Sequence, residues 1–126
     1  MLAAVASALL LMSSQSATGE GRPVAPLVIT YETALRCAGL TQAASELRGG
    51  ETAEGHALYD DALFWSLTTI QLATAQGRSP TATEDDMQKA RIGAVRRLSS
   101  AHDDTLRDLR RCRQQAPSLN GGTRSQ

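Results

Sequence analysis

The chain has 126 residues, with 13 Lys+Arg against 13 Asp+Glu and a formal net charge of zero. That length holds one domain, and the charge balance excludes a strongly basic nucleic-acid binder and an acidic solvating tail. Aromatic residues make up 3% (Tyr31, Tyr59, Phe64 and Trp65), too few for a base-stacking platform.

Residues 1–19 carry no charged side chain, and Leu2 to Met12 is an apolar run broken only by Ser7. This length suits the apolar region of a secretory signal and is too short to span a bilayer. Ser14-Gln15-Ser16 fits the small-x-small cleavage rule, which predicts a signal peptide over 1–16 and a mature chain starting near Ala17. The segment before the run has no Lys or Arg; a weak signal or a start upstream of Met1 accounts for that. Residues 17–29, with Gly19, Gly21, Pro23 and Pro26, read as an extended leader.

Helix one is predicted from Thr30, its N-cap, to Arg48. Its apolar positions Tyr31, Ala34, Leu35, Ala38, Leu40, Ala43, Ala44 and Leu47 recur at three and four, and Gly49-Gly50 stops it. Helix two is predicted from Thr52 to Gln76, ended by Gly77 and Pro80. Its apolar arc of Leu58, Ala62, Leu63, Trp65, Ile70, Leu72 and Ala73 is wide enough to face more than one neighbour. Phe64 falls outside that arc, among Asp60, Asp61, Thr68 and Gln71, and reads as an apolar ring on an exposed polar face.

Helix three is predicted to start at Thr81 or Thr83, where Thr81-Ala82-Thr83-Glu84 and Thr83-x-x-Asp86 are capping signals. No Pro interrupts residues 82–116, yet Ser100-x-x-Asp103 is a second start signal. Residues 117–126 read as a disordered tail. Period-two, β-branched stretches are scarce, which argues against a sheet.

Cys37 and Cys112 are the only cysteines, and two thiols in an exported chain pair. The pairing also bears on the helix count. In an up-down-up bundle with an unbroken third helix, Cys37 and Cys112 stand about 10 Å and 45 Å from the bottom, and a disulfide needs Cα atoms within about 7 Å. If the chain reverses near Ser99-Ser100, both cysteines lie at about the same height. The predicted fold is therefore an all-α, disulfide-stapled bundle of four helices, up-down-up-down, over 30–116; the alternative is three helices with a long, displaced third. After position 16, Leu, Ile, Val and Phe total 19 of 110 residues while Ala supplies 16 more, so the core is thin and Ala-rich and gains from a staple.

Few residues suggest chemistry. His56 and Asp60 share a helical face, but a metal site needs three or four ligands, so no metal or other cofactor is expected. Adjacent carboxylates, Asp60-Asp61 and Asp85-Asp86, diverge by 100° on a helix and make no proton-sharing dyad. Residues 17–80 carry a net charge of −3 and residues 81–126 a net of +3, densest at Arg107, Arg110, Arg111 and Arg113. Those arginines complement a helix C-terminus and pair with Asp103, Asp104 and Asp108. No phosphate-binding Gly loop, GxSxG elbow, HExxH or dinucleotide fingerprint is present.

The sequence therefore reads as a small exported, periplasmic helical protein, not an enzyme, that serves as an interaction or structural module of the cell envelope. Phe64 and Trp65 are the expected contact residues, with a protein partner or a second copy meeting helix two; no nucleic acid and no transmembrane span are expected after signal removal. The alternative is a carrier of a small molecule or metal in the bundle core, built on Trp65, Tyr59 and His56.

Overall fold

The computed structural model describes residues 28–100 and 102–117; the expected signal peptide and most of the leader and tail lie outside them. The described residues form four helices: α1 (Tyr31–Arg48), α2 (Ala53–Ala75), α3 (Pro80–Ser99) and α4 (Asp103–Gln115). Three starts are fixed by hydroxyl caps, each accepting a backbone N–H that the first turn leaves over. Thr30 accepts from Thr33 at 3.1 Å, Thr52 from Gly55 at 2.9 Å and Ser79 from Ala82 at 3.1 Å. Gly49 closes α1 with φ 87° and Gly77 carries the α2–α3 turn with φ 73°, left-handed values that glycine adopts without penalty.

The start of α3 differs from the expected Thr81 or Thr83. Pro80 begins the helix instead of merely ending the one before. Proline is favoured at a first helical position because its missing N–H would have no partner there. Thr83 is buried one turn in, and its hydroxyl donates to the Ser79 carbonyl at 3.0 Å.

α1 is the central helix. Its buried face is built from small residues, Ala34, Ala38, Gly39, Ala43 and Ala44, with Tyr31 and Leu40 as the large side chains. Small residues let neighbouring backbones come close, and α3 does so at Gly39. A Cβ at that position would meet the Ala90 carbonyl carbon and oxygen at 2.7 Å. α2 runs antiparallel to α1: the Ser45 hydroxyl donates to the Gly55 carbonyl at one end, and the Arg78 guanidinium lies over the Tyr31 ring at the other. α3 runs parallel to α1, with Tyr31 meeting Asp86 near both starts and Glu46 meeting Arg91 further along. Both helices therefore lean on α1, and a groove separates α2 from α3.

The chain reverses after Ser99, as the cysteine heights require, without a glycine. The Ser100 hydroxyl and amide both bond the Arg96 carbonyl, and Asp103 and Asp104 then favour the new N-terminus electrostatically. The Cys37–Cys112 disulfide bridges α1 and α4, with Cα atoms 5.4 Å apart and a sequence separation of 75. The predicted four-helix bundle is thus the fold adopted, not the three-helix alternative.

The start of α1 is anchored by Tyr31, which is buried and donates to Asp86 at 2.8 Å. Burial, then the Asp86 carboxylate, pushes the phenol pKa up from its ordinary value. A raised folded-state value means that the native state holds its proton longer than the unfolded chain. The associated stability is complete below the unfolded value of about 10 and is lost as pH rises through the folded one. Denaturant unfolding across alkaline pH should therefore show the wild type losing stability more steeply above about pH 10 than Tyr31→Phe; equal slopes would contradict this assignment.

Candidate functional site

The functional interest lies on α2, whose two shoulders are treated differently by the fold. Its buried arc holds Gly55, Leu58, Asp61, Ala62, Trp65, Thr69 and Ala73. One shoulder of this arc lies under α4. The Trp65 indole is fully buried and its Nε1 donates to the Cys112 carbonyl at 3.0 Å, so ring and disulfide share one core. Phe64 stands edge-on to Trp65, with ring centroids 5.0 Å apart. Asp61 is 1% exposed, and Arg113 of α4 approaches it, Nε to Oδ2, at 3.5 Å. Arg113 also reaches Glu54 at 3.4 Å.

These positions correct the expected contact pair. Trp65 lies wholly in the core and presents no ring to a partner. Phe64 is half-buried and packs against the core cluster, not on an open polar face. The physical reason is Arg113: by bringing a guanidinium to Asp61, α4 makes the supposed polar face of α2 a burial face. The three residues of the core-carrier alternative are not brought together either, since Tyr59 and His56 are exposed while Trp65 is enclosed. Among the described residues no cluster of three or more His, Cys, Asp or Glu could hold a metal ion.

The other shoulder of α2 is bare. Tyr59, Leu63, Leu67 and Ile70 are 55%, 39%, 56% and 46% exposed. Their spacing of four, four and three puts them on one stripe. No charged residue lies within the stripe, and Asp60 flanks it. Single exposed apolar residues are ordinary; four in a row along one helix are a patch. α3 does not cover this shoulder because it leans on α1 through Gly39. Beside the stripe, the α2–α3 groove encloses about 400 Å³ and is lined by Ile70, Ala73 and Met87, with Arg78 and Arg91 among its polar residues.

The basic stretch of α4 is largely neutralised locally. Arg107 pairs with Asp104 at 3.4 Å and Arg111 with Asp108 at 4.0 Å, both at i, i+3. Among the described residues, no helix is long and apolar enough to cross a membrane. The sequence signal for the bare shoulder was the excess of apolar residues around α2; periodicity alone did not show which of them would be left outside.

Comparison with known proteins adds no relative: no protein-family model, no curated protein and no solved structure matches the chain.

Proposed function

We propose that this protein is an exported interaction module that self-associates through the bare shoulder of α2. The observation that carries the reading is the uncharged stripe Tyr59, Leu63, Leu67 and Ile70. Export is supported by the Leu2–Met12 run and by a buried disulfide, a bond that persists in oxidising compartments. The role is binding and structural rather than catalytic.

A second copy fits the stripe by charge and symmetry. Between Gly50 and Gly77 the chain has no Lys or Arg, while Glu54 and Asp60 are acidic. Parallel pairing of two α2 helices would set each acid against its own copy, which is unfavourable. Antiparallel pairing about the middle of the stripe places Leu63 against Leu67 of the second copy and separates the two Asp60 side chains by about 15 Å along the axis. That exceeds the Debye length of about 8 Å at physiological salt. The resulting interface is isologous and closes as a dimer.

Sedimentation equilibrium of the mature, disulfide-bonded chain tests this. Leu67→Asp lies on the exposed surface and should leave the denaturant midpoint nearly unchanged at chain concentrations below the wild-type dimer dissociation constant. It should weaken dimerisation by about tenfold or more, because a desolvated charge then sits at the centre of the interface. A wild-type chain that stays monomeric, or a Leu67→Asp dimer of unchanged affinity, contradicts the proposal.

A further inference from the structure

We propose that the α2–α3 groove binds a small amphipathic anion, with a linear apolar body between the helices and its head at Arg91. The groove of about 400 Å³ lies within the range of small-ligand pockets, which join apolar walls to a few fixed polar groups. Here the walls are Ile70 and Ala73 from α2 and Met87 from α3, and they suit an alkyl chain.

The two cations of the groove are not equivalent. Arg78 lies over Tyr31, 4.1 Å from its centroid, and near Asp86 at 3.6 Å, with Glu84 also lining that end. Its Nη1 faces Asp86, its Nε donates to Gln76 at 3.2 Å and its face covers the Tyr31 ring, so its donors and its face are largely taken up. Arg91 is about three turns further along α3. Its Nη1 donates to the half-exposed Glu46 at 3.1 Å, a solvated pair that engages one of the three guanidinium nitrogens and leaves donors for an incoming anion. Gln42 and Gln88, which also line the groove, add amide donors beside it. The head therefore goes to Arg91, and the tail runs toward Pro80.

Calorimetric titration of the disulfide-bonded protein with decanoate, decanol and decyltrimethylammonium tests it. Decanoate should bind at one site per chain, about tenfold or more tighter than decanol, because a charge-assisted hydrogen bond is retained. Decyltrimethylammonium should bind more weakly still. Arg91→Gln should abolish the preference for decanoate over decanol. Thr74→Trp, from an exposed position on the groove wall, should block both; if that chain does not fold, Gln88→Trp fills the same space from α3. Absence of decanoate binding, equal affinity for the three compounds, or an affinity untouched by Arg91→Gln or by the tryptophan variant overturns the proposal.

Discussion

Replacing Cys37 and Cys112 together by Ala is expected to lower the unfolding free energy by about 4 kcal/mol, the chain-entropy value for a loop of this length. Alanine is preferred to serine because a buried hydroxyl without a partner adds its own cost. The loss should appear first in α4. That helix buries only Thr105 and Cys112 within its length, with Ala116 just beyond, and its other residues are mostly charged or polar. Without the bridge, little apolar area offsets the entropy of ordering it. Denaturant unfolding with helix-resolved amide exchange is the measurement. The expected result is a lower midpoint, with α4 exchanging ahead of α1 and α2. An unchanged midpoint, or α4 protection equal to that of α1, would show that packing alone holds the helix.

Arg113→Met is expected to cost about 3 kcal/mol, because removing one partner of a buried ion pair leaves the other carrying its desolvation penalty. Asp61 is buried while Arg113 keeps some contact with solvent, so the lower end of the range for broken buried pairs applies. The double variant Asp61→Leu with Arg113→Met should recover most of that loss, since well-packed apolar side chains replace buried pairs at little cost. A double-mutant cycle on unfolding free energies separates the coupling from the single effects. A destabilisation of Arg113→Met below about 0.5 kcal/mol, the size of an ordinary surface change, would mean that the carboxylate is not held by this contact.

The helices and their connection were legible because they rest on local chemistry. Thr30 and Thr52 cap, Gly49 and Gly77 turn, and the cysteine heights require a reversal near Ser99-Ser100. The phase of α2 was not legible, because polar residues stand inside its buried arc for reasons that hydropathy does not record. Thr69 is buried because its hydroxyl donates to the Trp65 carbonyl at 2.8 Å within the same helix. Asp61 is buried because a guanidinium arrives from α4. With those two positions assigned to solvent, the arc swings toward Leu63 and Ile70, and Phe64 is left outside. The bare shoulder itself is a tertiary result, set by how closely α3 approaches α1 at Gly39.

If two copies meet through antiparallel α2 helices, a photo-reactive leucine analogue in place of Leu67 sits at the centre of their contact. Irradiation of the mature protein, followed by peptide mapping between isotopically distinct copies, reads which residues meet. The expected result is an intermolecular crosslink from position 67 to the segment around Leu63 of the second copy. Crosslinks confined to one chain, or joining position 67 to position 67 in parallel register, would contradict it.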